Sequence, residues 1–242
     1  MNDIVQGIAK AFELIFTGDP EIYGIVYRSL LFSGIAVILA TLWGTPIAIL
    51  ISLKEFRGKN IIKTFFNSLI GIPTVVLGLV LFLAFSNSGP LGFLGLLYTP
   101  AAIILGEAVL ITPIIISIAT TAIEAVDPEI MNLARTLGAS ESQASIAVLR
   151  EAINGVLLAN FASFNRAIAE LGVALLVGGN IAGTGLRTDV LTTAISRYTQ
   201  RGDIGFALAL GIILMIIVFT INLALIIARK VKMLYTLWRS PA

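Results

Sequence analysis

The sequence contains no cysteine and no histidine, and only 12% of its 242 residues are charged. Without cysteine there is no disulfide framework, no thiolate metal site and no cysteine nucleophile. Without histidine the commonest general base and imidazole ligand are absent too. A chain that is 57% hydrophobic and this poor in charge argues against a soluble globular fold and for one whose solvent is a bilayer. A GxxxxGK[ST] phosphate loop is also missing, so the chain is not built to hydrolyse ATP in the usual way. Asp3 spoils any basic leader, and no small-residue cleavage site follows a clean apolar core, so no removable signal peptide is expected. The net charge of +2 implies no nucleic-acid partner and reports topology instead.

Five stretches are long enough to cross about 30 Å of hydrocarbon, which takes about 20 apolar residues. They are Ile25 to Leu53, Thr64 to Phe85, Leu97 to Ile123, Ala152 to Val177 and Ile204 to Ala228. Lysine and arginine mark the cytoplasmic side. Lys54, Arg57, Lys59 and Lys63 follow the first span, and Arg229, Lys230, Lys232 and Arg239 follow the fifth. Four spans lie between these basic segments, an even number that puts both inside. The N-terminus, with Asp3, Glu13, Asp19 and Glu21 against Lys10, and the turn Ser86-Asn87-Ser88-Gly89-Pro90 are then expected outside. The chain is therefore expected to be a multi-pass membrane protein, with membrane lipid as its surroundings.

Residues 1–18 read as an interfacial helix: Ile4, Ile8, Phe12, Ile15 and Phe16 share one face, and Asp3, Gln6, Lys10 and Glu13 the other. Thr17-Gly18 breaks it, and Asp19-Pro20 caps and restarts the chain. The same device recurs at Thr99-Pro100 and Asp127-Pro128. Pro46, Pro73 and Pro113 lie inside spans, where each kinks its helix, either to accommodate packing or as a hinge. Small residues such as Gly34, Gly44, Gly71, Gly78, Gly106, Gly172 and Gly211 permit close helix approach. No internal repeat is evident. The expected organisation is all-α, with one membrane domain over residues 19–242.

Glu124 to Glu151 is too polar for membrane and longer than a connecting turn requires. Asp127 caps a helix with Pro128 and Glu129 in its first turn, running through Ile130, Met131, Leu133, Ala134 and Leu137. Gly138 closes that helix, and Ser140 with Gln143 forms a capping box that opens another. Two short helices over residues 127–147, joined by a glycine corner, form either a docking knob for another protein or a solvated loop.

The run Leu133-Ala134-Arg135-Thr136-Leu137-Gly138-Ala139-Ser140 resembles the coupling motif of ABC-importer permeases. In that motif a Glu-Ala-Ala triplet stands three residues before a fixed glycine; Asn132-Leu133-Ala134 fills the triplet here. The Ile-x-Leu-Pro ending of the family is replaced by Val148-Leu149-Arg150-Glu151. Ile72-Pro73-Thr74-Val75-Val76-Leu77-Gly78-Leu79, Ser88-Gly89-Pro90-Leu91-Gly92 and Arg166-Ala167-Ile168-Ala169-Glu170-Leu171-Gly172 are similar to the molybdate, tungstate and sulfate group. Gly178-Gly179-Asn180-Ile181 and Leu191-Thr192-Thr193-Ala194-Ile195 look most like its tungstate branch.

The resemblance implies a type I ABC-importer permease fold and a non-enzymatic membrane subunit. It implies a second copy of this chain, two ABC ATPase subunits that use ATP and Mg, and an extracytoplasmic oxyanion-binding protein. The ATPases would grip the 129–145 helices through Glu129, Asn132, Leu133, Ala134, Arg135, Leu137, Gly138, Ala139 and Ser140. The cargo would be tungstate, with molybdate or sulfate as alternatives.

Ionisable groups inside spans are costly and usually pair or line a cavity. Arg166 and Glu170, one turn apart, either neutralise each other or serve the pathway. Thr74, Ser163, Asn165, Arg166, Glu170 and Asn180 are the candidate pathway residues, because an oxyanion needs donors that do not trap it. Glu107 reads as structural. Gly178-Gly179-Asn180 is either an anion nest or a plain helix end. A secondary anion transporter is a competing class; a membrane enzyme finds no catalytic cluster to support it.

Overall fold

A computed structural model describes residues 2–183 and 185–239, with the side chains of residues 2–4, 6, 225 and 228–239 outside that description. The expectations placed on Asp3, Ile4, Gln6, Arg229, Lys230, Lys232 and Arg239 therefore concern side chains outside the described residues. The chain divides into two compact units, residues 1–27 with 194–242, and residues 28–193.

In the first unit, α1 (Asn2–Thr17) packs on α10 (Ile204–Arg239). Gly7 faces Leu208, the aliphatic stem of Lys10 lies over Gly205, and Ala11 is buried. Small residues let the two helices approach closely. The Lys10 ammonium reaches Asp203 at 3.3 Å, and Asp203 also caps α10 by accepting the Phe206 N–H at 3.2 Å. Val5, Ile8, Phe12 and Phe16 remain exposed on the other side of α1. Gly18, at φ +73°, ends α1, and the Asp19 carboxylate accepts the Glu21 and Ile22 N–H groups at 2.9 and 3.2 Å to start α2 (Pro20–Leu53).

The second unit is organised around α5 (Pro100–Glu124), whose Ile103, Ile111, Ile115 and Ile116 are enclosed. Beside it run α2, α3 (Lys59–Leu69), α4 (Thr74–Phe85), α6 (Pro128–Thr136), α7 (Glu141–Ile168) and α8 (Gly172–Gly178); α9 (Leu191–Gln200) follows. The α5/α7 contact is tight enough that a Cβ at Gly155 would overlap the Ala122 methyl. Three clusters mark successive levels along α5. Phe32, Phe85, Val173 and Val177 surround Ile103; Ala36, Ala40 and Ala167 surround Ile111; Val148 and Ala152 surround Ile123.

Among the described residues four helices are long and apolar enough to cross a bilayer: Pro20–Leu53, Pro100–Glu124, Glu141–Ile168 and Ile204–Ala224. The expected second span is not one helix. α3 and α4 meet at 97°, so a fifth crossing exists only as a broken span. Pro73 sits ahead of α4 as its N-cap rather than inside a helix. Proline disfavours helical geometry at the residue before it, and with Gly71 two positions upstream the helix ends rather than kinks. The fourth span also differs from its expected bounds. It begins at Glu141 and ends at Ile168, and Gly172–Gly178 forms a separate short helix.

Candidate functional site

At the end of α5 marked by Glu124 the chain makes an elbow. The Asp127 carboxylate accepts the Glu129 N–H at 2.9 Å, and Pro128 occupies the first turn, so α6 starts as its sequence dictates. Ile130 and Met131 pack toward Ile123, Val148 and Ala152. Gly138 turns the corner at φ +87°. The Gly138 N–H reaches the Arg135 carbonyl, and the Ala139 N–H the Ala134 carbonyl, both at 3.0 Å. Ser140 and Gln143 form a reciprocal capping box that opens α7. Arg135 bridges the corner to Glu141 at 2.8 Å, and that hydrogen bond raises the guanidinium pKa further above its ordinary value.

The elbow differs from two short helices in one respect. Its second helix is the beginning of the membrane helix α7, which continues unbroken to Ile168. No glycine or proline interrupts residues 141–154, and the capping box is followed by a continuous run of helix-compatible residues. The corner is therefore continuous with a span. Leu133 is 62% and Leu137 79% exposed, an apolar pair on a polar element. Glu129, Asn132, Arg135, Gly138 and Ser140 are exposed beside them, and Ala134 and Ala139 are half-buried.

The second cluster lies where the two broken helices meet. Arg166, in the last turn of α7, donates to Glu170 at 2.5 Å. The other Glu170 oxygen accepts the Gly172 and Val173 N–H groups at 2.8 and 3.2 Å, so this carboxylate also caps α8. The Glu170 backbone carbonyl receives the Thr192 hydroxyl at 2.5 Å. A Cβ on Gly172 would stand 2.9 Å from the Thr74 hydroxyl and the Val75 nitrogen, which brings the first turns of α4 and α8 backbone to backbone. Gly78 makes the reverse approach, with the Gly172 carbonyl 3.0 Å from its own hypothetical Cβ.

Thr74, Arg166 and Glu170 thus share one locality. Asn180 does not: it lies past the far end of α8, about 10 Å of helix away, at φ +51°, with its amide donating to the Thr193 carbonyl at 3.0 Å. Asn165 is half-buried on α7. Ser163 is fully buried on the same helix, and its hydroxyl has no hydrogen-bond partner among the described residues. Glu107 is buried in α5 and hydrogen-bonded with Ser33. At Gly178-Gly179-Asn180 the geometry is that of a helix end. Gly179 caps α8 at φ +69°, its N–H goes to the Leu175 carbonyl at 3.1 Å, and the Ile181 N–H goes to the Thr188 hydroxyl at 2.9 Å. Among the described residues no group of three acidic side chains could hold a metal ion.

Sequence reasoning missed a third constellation. Asp189, fully buried, receives Arg28 at 2.8 Å and Arg187 at 2.9 Å, and the Arg28 Nε also donates to the Asp189 carbonyl at 3.1 Å. The neighbouring Leu191 N–H donates to Ser29 at 2.7 Å. The signal available was Arg28, a charge within the first expected span. This clasp ties the segment after α8 to α2, at the end of α5 opposite the elbow: Tyr98, just before α5, donates its N–H to the Val177 carbonyl at 2.8 Å.

Residues 28–232 match the family described as binding-protein-dependent transport system inner membrane component. The chain is 36% identical over 222 residues to a tungstate uptake system permease protein from Peptoclostridium acidaminophilum, covering 92% of this chain and 96% of that one. It is 33% identical to a protein of the same description from Campylobacter jejuni, with 92% of each covered. An amino acid ABC transporter crystal structure has the same fold, with a TM-score of 0.67 at 19% identity over 90% of this chain and 97% of that one. The elbow, the broken spans and these matches together make the chain a member of the binding-protein-dependent transport system inner membrane component family, the permease subunit of an ABC importer.

Proposed function

We propose that this permease carries tungstate into the cell, working as a pair of identical subunits driven by two separate ATPases and fed by an extracytoplasmic binding protein. The observation that carries the coupling half of the reading is the exposed Leu133/Leu137 pair on an elbow whose second arm is a membrane helix. An apolar patch on a water-facing element is a docking surface. Docked there, ATPases that close on ATP and Mg pull on α6 and, through the Gly138 corner, on α7. Nucleotide then biases a two-state membrane domain through contacts that differ between the states. The elbow lies in the cytoplasm and the N-terminus outside, in keeping with the basic segment that begins at Lys54.

Inside the bilayer, Thr74 and Arg166 lie beside the meeting point of α4 and α8 and provide donors for a passing dianion. Glu170 holds most of the Arg166 charge, which limits how tightly an anion is retained. The substrate assignment is supported by the two relatives described as tungstate permeases. Reconstitution tests it. Liposomes containing the permease, its ATPase and its binding protein should accumulate tungstate on ATP addition and not without the ATPase. Gradient-driven uptake by this chain alone would refute the coupling. Faster ATP-dependent uptake of molybdate or sulfate than of tungstate would refute the substrate.

A further inference from the structure

Behind the 97° bend between α3 and α4 lies a recess of about 300 Å³, walled by Trp43 of α2, Phe66 and Leu69 of α3, Ile72, and Val109 and Pro113 of α5. Two polar groups in its wall bond to each other: the Trp43 indole N–H donates to the Thr112 hydroxyl at 2.7 Å, and that hydroxyl donates to the Ala108 carbonyl at 2.6 Å. The wall therefore offers no group that calls for water, and apolar cavities stay dry. Trp43 and Val109 are 36% and 43% exposed, so the recess opens toward the surroundings of the bundle. In a bilayer those surroundings are hydrocarbon, and a chain that enters recovers the dispersion contacts an empty wall forgoes. The volume equals about ten waters at about 30 Å³ each, enough for a length of acyl chain.

Depth and charge specify the rest of the ligand. α3 has 11 residues, so the rise from Lys59 to Leu69 is about 15 Å, close to half of a hydrocarbon core of about 30 Å. The recess thus lies about one acyl chain from the polar end of α3. At that end Lys59 is engaged by Glu55 and Glu124, and Lys63 by Glu124. Lys54 and Arg57 are exposed and have no ion pair among the described residues. Trp43, Ile47, Leu50 and Lys54 recur four, three and four residues apart, which places them on one helical face. The Lys54 N–H continues that helix by reaching the Leu50 carbonyl at 3.3 Å. An apolar track therefore joins the recess to a pair of uncommitted cations.

We propose that the recess holds the acyl chain of an anionic phospholipid whose phosphate is bound by Lys54 and Arg57. The bound lipid wedges the broken span against α2 and α5, close to where the elbow meets the membrane.

The protein provides its own probe, because Trp43 and Trp238 are its two tryptophans. The full-length chain carrying Trp238→Phe is reconstituted in phosphatidylcholine vesicles, with a Trp43→Phe, Trp238→Phe sample as blank. Brominated phosphatidylglycerol or brominated phosphatidylcholine is then titrated in. Trp43 should be quenched at a roughly fivefold lower mole fraction of the anionic lipid for each basic residue that holds its phosphate. Lys54→Gln with Arg57→Gln, both at exposed positions, should bring the two titrations together. Val109→Phe, which fills the recess, should weaken quenching by both. Equal quenching by the two lipids in the parent, or a preference unchanged in the double glutamine variant, overturns the headgroup assignment. Absence of quenching by either lipid overturns the site and leaves a second copy of the chain as what covers the recess.

Discussion

Gly138 offers the sharpest test of how the elbow works. Its φ of +87° belongs to the left-handed region, yet no atom lies within 4 Å of where a Cβ would be. Space does not require glycine; the backbone does. A β-branched residue forced into this conformation costs about 2 kcal/mol, whereas asparagine visits it more readily. The corner is otherwise held by short-range bonds: two backbone contacts at 3.0 Å, the capping box and the exposed Arg135–Glu141 pair. A penalty of about 2 kcal/mol therefore shifts the balance between formed and opened corner by about 30-fold, without unfolding α6, whose Ile130 and Met131 remain packed. Gly138→Val should lower uptake per ATP hydrolysed by up to about 30-fold in proteoliposomes holding equal amounts of assembled transporter. Gly138→Asn should stay within a few-fold of the parent, and Gly138→Asp should fall between, because it adds charge at the contact. Parental uptake in the valine variant would refute the reasoning. Equal losses for valine and asparagine would mean that the partner reads the bare glycine surface rather than the angle of the corner.

Other outcomes follow from the same geometry. Glu170→Ala removes the α8 cap and the partner of Arg166; it should cost about 3 kcal/mol, the low end for a broken buried pair, since Arg166 keeps about a third of its side chain exposed. Thermal unfolding in detergent would show it as a lowered midpoint, with Glu170→Gln milder because its side-chain carbonyl still accepts from Gly172. Gly172→Val should prevent assembly, because even its Cβ would stand 2.9 Å from Thr74 and Val75 and α4 must move away; a monodisperse variant of normal stability would contradict that packing. Asp189→Ala leaves Arg28 and Arg187 without their shared carboxylate, so limited proteolysis should cut at Gly183–Leu186 several-fold faster than in the parent, while Asp189→Asn should lie between.

Local chemistry was the most legible part of the chain. Asp19, Thr99, Asp127 and Ser140 all cap the helices assigned to them, because a cap needs only groups two or three residues apart. Gly138 was legible for the same reason. The broken spans were not. Hydropathy integrates over a window and is blind to direction, so Thr64 to Phe85 reads as one crossing although Gly71 and Pro73 turn it through 97°. The opening of α7 at Ser140 was legible, but its continuity with the fourth span was not, because polar composition set the membrane boundary at Ala152, whereas backbone hydrogen bonding ignores where the polar run ends.

The amino-acid sequence determined the solvent of this protein, the corner at Gly138 and the family to which the chain belongs, because each rests on composition or on residues close together in the chain. Tertiary structure decided the roles of the buried charges. Arg166 and Glu170 are a turn apart and pair as spacing allows, and Glu170 caps α8 through N–H groups two and three residues on, but only the fold sets this pair beside Thr74 and Val75 of α4. Arg28 and Asp189 are separated by 161 residues, and no local pattern announces their contact. A buried charge takes whichever partner packing places beside it, and packing is a property of the whole fold.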